Sequence, residues 1–533
     1  MDKSAVLKER FGLKDFRPGQ EETIDAILAG TDVLAVMPTG AGKSLCYQIP
    51  ALMLPGITIV ISPLISLMKD QVNALVDAGC PAAFLNSSLS QSEYSQTLKE
   101  IFTGGLKLLY IAPERLQKNE VSAVAANGNI PLVVVDEAHC ISQWGHDFRT
   151  SYLEIARFIK SINTRPVVAA FTATATVKVR DDIRALLKLK KPFVINTGFD
   201  RPNLFFGVQK PKDKDAALLE CLATRKNKSG IVYCATRKAV EEVRDLLTNH
   251  GYAATRYHAG LEDAERRENQ DDFINDRKTV MAATNAFGMG IDKPNVSFVI
   301  HYNMPKNIES YYQEAGRAGR DGAPADCILL YSGRDVRVSQ YLITHNEDGS
   351  VPDKKQLAHN LELLKQMTFY AAADDCLRHR LLVYFGEQSP ANCGHCSNCL
   401  TGYEEADVTI EAQKIASCVY RLKQRDRAFG KTVIIDILRG ERTEKVERFG
   451  LDSLSTWGLL SDTDPRRIRL ILDYLIEKEF LIVDDGKYPV ITLGKGRDLL
   501  LGECPRLLVK LPIKEKEKKK GRTLPRTTRT KHK

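Results

Sequence analysis

Short runs of consecutive apolar residues, separated by longer amphipathic stretches, fill roughly the first two-thirds of the chain. VLAVM (33–37), ITIVI (57–61), KLLYI (107–111), LVVVD (132–136) and VVAAF (167–171) form a first series, and GIVYC (230–234), TVMAA (279–283) and SFVIH (297–301) a second. Apolar runs of this length with helical stretches between them predict strands buried on both faces, as in parallel α/β sheets. A break at GFDRPNL (198–204) divides the series, so two α/β domains are expected. From residue 336 to about 402 the pattern turns helical and then cysteine-rich. Residues 408–503 carry helical segments followed by LIVDDGKYPVITL (481–493), where Asp485-Gly486 is a hairpin signal between apolar runs. Helices followed by a hairpin suggest a winged helix, a pattern that other small α+β units share.

Composition changes this picture in two places. The chain has 533 residues, 43% hydrophobic and 27% charged, as expected of well-cored globular domains. No run of ~18 apolar residues suggests a membrane span. The N-terminal stretch MDKSAVLKERFGLKDF lacks a signal-peptide core, so a reducing compartment is expected. The net charge is +9, but residues 514–533 hold ten Lys/Arg against two Glu and so account for +8 of it. Any strand-binding surface in the body must therefore be local. The tail is a separate basic arm, either a solvated end or a DNA contact. Eight of the twelve cysteines are scattered and read as small core hydrophobes. The other four, Cys376, Cys393, Cys396 and Cys399, form C-x16-C-x2-C-x2-C. Four thiolates at this spacing satisfy a tetrahedral Zn²⁺, with an iron–sulfur cluster as the rival. His379 and His395 lie nearby as bystanders.

Three further patterns carry chemistry. MPTGAGKS (37–44) joins a strand to a helix, and such a turn offers backbone N–H groups to phosphates. Thr39, Gly40 and Gly42 would shape the cradle, Lys43 would reach the β/γ-phosphates and Ser44 would hold Mg²⁺. Met37 stands where the first glycine of G-x-x-x-x-G-K-[ST] belongs, so a chance glycine-rich turn remains the alternative. VVVDEAHC (133–140) ends an apolar run in two carboxylates. Asp136 suits the Mg²⁺ shell, and Glu137 suits orienting and deprotonating an attacking water. In YYQEAGRAGRDG (311–322), Gln313, Arg317 and Arg320 are spaced i, i+4, i+7 and are expected on one helix face. Carried by the second domain, that face could close on a γ-phosphate held by the first, as an arginine finger does.

Together with ISPLISLMKDQ (61–71), APERL (112–116), FTATAT (171–176), YCATRKAVEEV (233–243) and ATNAFGMGIDKPNV (283–296), these segments resemble the ordered motifs of a superfamily 2 helicase. FRPGQ (16–20), DEAHCISQWGHDFR (136–149) and the cysteine cluster narrow the resemblance to the RecQ family of DNA helicases, over roughly residues 8–503. The resemblance implies two tandem RecA-like parallel-sheet lobes, then a helical zinc-binding subdomain and a winged-helix domain. The expected boundaries are 1–200, 201–335, 336–405 and 406–505, with a basic tail over 506–533. The helicase-and-RNase-D-like domain of longer members is expected to be absent.

It also implies ATP, Mg²⁺ and Zn²⁺ as cofactors and 3′-to-5′ translocation on single-stranded DNA. Unwinding would serve repair, recombination and replication. Expected partners are single-stranded and forked or tailed duplex DNA and a single-strand-binding protein. A cytoplasmic monomer without a membrane is expected, nucleoid-associated in a bacterium. Arg17 and Gln20 resemble the adenine-recognition pair, with Leu13 where an aromatic often stacks. Asp292 would meet the ribose region, and Arg320 would be the finger beside Arg317. CISQWGHDFR (140–149) resembles the aromatic-rich loop between ATP and DNA. Trp144 and Phe148 would offer π-faces to bases and Arg149 a charge, although Trp144 could instead be a core anchor. Arg237 and, near the hairpin, Tyr488 complete the nucleic-acid candidates. Arg442, Lys445 and Arg448, on one expected helical stretch, could meet phosphates. The competing readings are an RNA helicase and a catalytically silent zinc and winged-helix DNA-binding protein.

Overall fold

Each predicted apolar run becomes a sheet strand. The computed structural model describes residues 2–63, 65–86, 89–287, 293–345, 353–401, 403–484, 490–502 and 506–512. These fall into two compact units, Met1–Asn398 and Cys399–Lys533. In the first unit, β1 (Val33–Val36), β2 (Thr58–Ile61), β3 (Ala82–Leu85), β4 (Leu108–Ile111), β5 (Leu132–Val135), β6 (Val167–Thr172) and β7 (Phe193–Asn196) form a seven-stranded sheet. Its order is β3-β4-β2-β5-β6-β1-β7 and every pairing is parallel. A second parallel sheet, of six strands, contains β8 (Leu204–Gln209), β9 (Gly230–Tyr233), β10 (Ala254–Tyr257), β11 (Val280–Ala283), β12 (Phe298–His301) and β13 (Ala325–Leu330) in the order β10-β11-β9-β12-β13-β8.

The pattern of apolar runs passes over five strands, and four of them are the sheet edges β3, β7, β8 and β10. An edge strand is covered less completely and needs fewer apolar residues. β7, for example, alternates between partly buried and exposed positions, whereas β1, β2, β4 and β5 are buried throughout. The fifth, β13, opens on Ala-Asp and lies inside its sheet.

In the first sheet β5, β6 and β1 are adjacent. The turn after β1 and the carboxylates after β5 therefore emerge on either side of the end of β6, at the C-terminal edge where ligands of α/β sheets bind. A helical subdomain follows β13, with helices Gly333–Thr344, Lys354–Ala372 and Leu377–Tyr384. Arg378 anchors it to the second lobe, pairing with Asp200 at 2.7 Å and donating to the Leu204 carbonyl at 2.6 Å.

In the second unit, helices Thr409–Gln424, Lys431–Arg439 and Pro465–Glu477 pack around Ile415, Val419, Ile434, Leu438, Ile468 and Leu472. A strand β14 (Tyr403–Asp407) precedes these helices in the chain. The antiparallel hairpin β15 (Leu481–Asp484) and β16 (Val490–Leu493) adds Leu481 and Ile491, completing a winged-helix arrangement. The last strand, β17 (Leu508–Pro512), pairs with β14. The expected Asp485-Gly486 turn and Tyr488 lie outside the described residues. Arg442 does not share a helix with Lys445 and Arg448. The preceding helix closes on left-handed Gly440 (φ 74°), and the next begins only at Glu444, after an extended Thr443.

Gly230 and Phe298 are direct cross-strand partners in the second sheet. A Cβ at residue 230 would lie 2.2 Å from the buried Phe298 ring. Gly230→Ala should lower the unfolding free energy by about 1–3 kcal/mol, as overpacking a core does, and the denaturant midpoint with it; an unchanged midpoint would show that the ring can give way.

Candidate nucleotide site, metal centre and strand-facing loop

The turn between β1 and the helix Lys43–Met53 needs two left-handed residues, Gly40 (φ 85°) and Gly42 (φ 78°). Its carbonyls are all taken. Lys43 Nζ donates to Met37 O at 3.2 Å, and the Ala41 amide to Pro38 O at 3.1 Å. Arg201 donates to Thr39 O at 3.1 Å, and Arg17 donates to Gly40 O. Gln20 Nε2 serves both Ala41 O (3.1 Å) and Gly42 O (3.0 Å), while Gln20 Oε1 accepts from the Arg17 amide at 2.8 Å. Among the described residues no protein group accepts from the amides of Gly40, Gly42, Lys43 or Ser44. Orphan N–H groups at a helix N-terminus fit an anion, and phosphates in particular.

Asp136 and Glu137 follow β5, and Glu137 sits in the left-handed region (φ 46°), a strained setting of the kind that functional sites tolerate. Burial pushes both carboxyls above the usual carboxylate range, and for Asp136 the neighbouring Glu137 charge adds to this. Burial pulls the Lys43 ammonium down, while Glu137 and Asp136 oppose the shift. Glu137 Oε2 is buried without a hydrogen-bond partner. The two carboxylates keep spare oxygens, and with the Ser44 hydroxyl, which accepts from Gln71 at 3.2 Å, they are the hard oxygen donors that a divalent cation such as Mg²⁺ takes.

The expectation of one helix face for Gln313, Arg317 and Arg320 is corrected. The helix Ile308–Ala315 ends before the arginines, and Gly316 and Gly319 (φ 57°) continue the chain as tight turns. Gln313 stays on the helix and donates to Thr174 Oγ1 of the first lobe at 3.0 Å. Arg317 lies close enough to Glu137 to favour its charged form, and Arg320 close enough to Lys43 to disfavour its charge. The Arg320 side chain runs beside Gly40, its Cγ 3.3 Å from where a Cβ on that glycine would be. Lys43, Asp136, Glu137, Gln313, Arg317 and Arg320 are thus brought together with Arg17, Gln20, Thr39, Gly40, Gly42 and Ser44. Asp292 lies outside the described residues. Leu13 is exposed, with no ring to stack on a base.

After Glu137 the chain makes a short 3-10 turn, Ala138–Ile141, and then the aromatic segment. Trp144 is 45% exposed and is no core anchor. Lys178 Nζ lies 2.9 Å from its ring centre, and His359 meets its edge at 5.2 Å and contacts its carbonyl. Phe148 is partly buried. Arg149 turns inward: its guanidinium pairs with Asp147 at 3.1 Å and donates to Pro63 O at 3.1 Å. Its charge is therefore spent within the loop. His146 stacks on His139 (centroids 4.5 Å apart, 15° between planes), and His139 Nδ1 is 3.3 Å from Glu137 Oε2. Burial pushes both imidazoles down to about 4, so both are neutral near pH 7. Arg237 opens the helix Arg237–Asn249 beside Gly260 in the second lobe.

Sequence reasoning did not single out His146, Thr174 or Arg201. His146 lay inside a segment already selected for its aromatics, and Arg201 was one arginine in an expected break.

The sulfurs of Cys376, Cys393, Cys396 and Cys399 all lie within 4.8 Å of one another, and those of Cys376 and Cys396 are 4.0 Å apart. Zn–S bonds of about 2.3 Å in a tetrahedron require S···S of about 3.8 Å, so the set fits zinc with small adjustment. His379 is bound to Ser389 and His395 packs on Phe205, leaving four sulfurs as the ligand set.

Family models match the whole series in order. They are the DEAD/DEAH box helicase (17–183), the helicase conserved C-terminal domain (213–322), the RecQ zinc-binding domain (333–400) and the RQC domain (402–520). The chain is similar to the ATP-dependent DNA helicase RecQ of Bacillus subtilis, at 46% identity over 94% of this chain and 83% of that protein. This chain belongs to the RecQ helicase family. The protein of the same name from Haemophilus influenzae is 42% identical over 94% of this chain and 80% of its own length. A solved Saccharomyces cerevisiae Dbp5 bound to RNA and ADP BeF3 superposes with TM-score 0.52 at 18% identity, over 64% of this RecQ-family chain and 91% of Dbp5; this likeness concerns the fold alone. Among the described residues no helix is long and apolar enough to cross a membrane.

A structural zinc site contributes folding free energy. Cys396→Ser should lower both the zinc content per chain and the melting temperature. A mutant of wild-type stability that retains one zinc per chain would contradict this, and visible absorbance of the wild type would indicate iron–sulfur instead.

Proposed function

We propose that this chain is an ATP-driven DNA helicase that moves 3′-to-5′ along single-stranded DNA and unwinds duplexes during repair, recombination and replication. One observation carries the reading. Arg317 and Arg320, borne by the second sheet, stand beside Lys43, Asp136 and Glu137, borne by the first. A site completed by two lobes works only when they meet, which is how hydrolysis becomes movement.

The roles follow from charge and reach. Arg17 and Gln20 are assigned to the adenine, Gln20 acting through the phosphate turn that its amide braces. The free amides of Gly40, Gly42, Lys43 and Ser44 and the Lys43 ammonium hold the phosphates. Ser44 and Asp136 would hold Mg²⁺, which would supply positive charge. Glu137, a stronger base for its burial, takes a proton as the water oxygen bonds to the γ-phosphorus and the bond to the β–γ bridging oxygen breaks. Arg320, with Arg317 beside it, stabilises the charge that builds in that step, and Gln313 ties the second lobe to Thr174. Asp292 would complete the ribose contact.

Trp144, Phe148 and Arg237 are assigned to the single strand, and Tyr488 to stacking on the terminal base pair. Arg149 stiffens the loop rather than contacting phosphate. The path from strand to hydrolysis runs from Trp144 through the His146–His139 stack to Glu137. We assign the domains as 1–200, 201–335, 336–405 and 406–505, with 506–533 a basic tail. We assign a cytoplasmic monomer, nucleoid-associated if the source is a bacterium, with a single-strand-binding protein among its partners.

ATP turnover with and without single-stranded DNA, followed by unwinding of 3′- and 5′-tailed duplexes, tests the whole reading. Preference for matched RNA duplexes would favour an RNA helicase, and absence of turnover a silent binding protein. Arg320→Ala should reduce turnover by roughly 10³–10⁵, as finger residues do, while ATP affinity changes little; lost affinity with normal turnover would end the finger role. Trp144→Ala should keep the melting temperature, because the ring is exposed, and lose the acceleration of hydrolysis by DNA. Removing one stacked base contact costs about 1–3 kcal/mol of DNA affinity. A fully DNA-stimulated mutant would exclude Trp144 as the sensor.

A further inference from the structure

Arg201 lies in the connection between β7 and β8, the covalent link between the two lobes. Its guanidinium makes four hydrogen bonds, all to backbone carbonyls. Nη1 donates to Thr39 O at 3.1 Å and Gly316 O at 3.3 Å; Nη2 donates to Ala318 O at 3.0 Å and Gly319 O at 2.8 Å. The first acceptor belongs to the phosphate turn, and the other three to the turn that carries Arg317 and Arg320. Among the described residues no carboxylate pairs with it, and burial lowers its affinity for its proton. A partly buried cation satisfied only by carbonyl dipoles is an unusual arrangement, and its planar fork suits several acceptors at fixed angles. Asn203, two residues on, reinforces the same turn, donating to Gly319 O and Ala323 O at 2.9 Å each.

We infer that Arg201 is a positioning residue for hydrolysis, holding the Arg317–Arg320 turn in register with the phosphate turn. The finger turn is not helical, so helix geometry does not set where its arginines stand. Three of its carbonyls converge on one guanidinium, and that guanidinium also grips Thr39. Arg201 thereby sets the distance between the two catalytic turns. The bond to Thr39 is the one of the four that crosses between the lobes, so it exists only while they are together. Lysine, a point charge with a single nitrogen, cannot reproduce the two-nitrogen fork.

This inference rests on Arg320 acting as the finger, and the test separates the two. ATP turnover at saturating single-stranded oligothymidine is measured for Arg201→Gln, Arg201→Lys, Arg320→Ala and the double variant Arg201→Gln/Arg320→Ala, with thermal midpoints of each. Both single changes at residue 201 should lower kcat by about 10²-fold, the cost of misplacing catalytic groups by about 1 Å. The KM for ATP should stay within about threefold and the midpoint near that of the wild type. The double variant should be no slower than Arg320→Ala, because a positioning residue has nothing left to position. If Arg320→Ala keeps its turnover, the finger reading fails by itself. If Arg320→Ala is slow but Arg201→Gln multiplies that loss, raises KM at constant kcat, or lowers the midpoint as much as turnover, Arg201 is not acting through the finger. Wild-type kcat in the Arg201→Lys variant would also overturn the proposal.

Discussion

Backbone carbonyls and amides of a tight turn cannot both face the same side, and in residues 37–42 this geometry organises the nucleotide site. Every carbonyl of the turn is satisfied by protein, through Lys43, Arg17, Gln20, Arg201 and the Ala41 amide. The amides at the start of the following helix are left to an anion. A buried N–H without a partner costs about 1–3 kcal/mol, so the turn is built to be completed by a ligand. Gly40 and Gly42 are required because the turn passes through the left-handed region twice.

Burial does comparable work on the other side of the site. Asp136, Glu137 and Lys43 are charged groups brought to the end of a fully buried sheet, where each disfavours its own ionised form and favours that of its opposite. Burial makes the carboxylates stronger bases than at a surface, and a divalent cation held there would offset their repulsion. The neutral His139–His146 stack continues this environment towards the exposed Trp144 without adding charge to it. A signature for metal and water chemistry runs directly into an aromatic segment because the two share one short connection after β5.

The interior strands other than β13 were legible because their near-complete burial demands apolar residues at nearly every position. The edge strands β3, β7, β8 and β10 were not: β10 (ATRY) is half polar, as an edge can be, while β3, β7 and β8 were passed over although mainly apolar. The cysteine set was legible from spacing, because C-x2-C brings two thiolates to one metal. Lys43, Asp136 and Glu137 were legible because each chemistry requires one residue type at one place relative to a strand.

Sequence alone determined the order of the modules, the chemical groups available and the family to which they belong, because these depend on local pattern and residue identity. Tertiary structure decided which groups meet. The helix ended at Ala315, capped by Gly316, before Arg317 and Arg320, and the i, i+4, i+7 spacing lost its meaning once the helix stopped. Asp147, two residues from Arg149 and equally visible in the sequence, took up its charge only because the loop folds back on itself. Arg201 gained its place because acceptors from residues 39 and 316–319 converge on it, and hydrogen bonds to backbone carbonyls leave no mark on the identity of the residues that supply them.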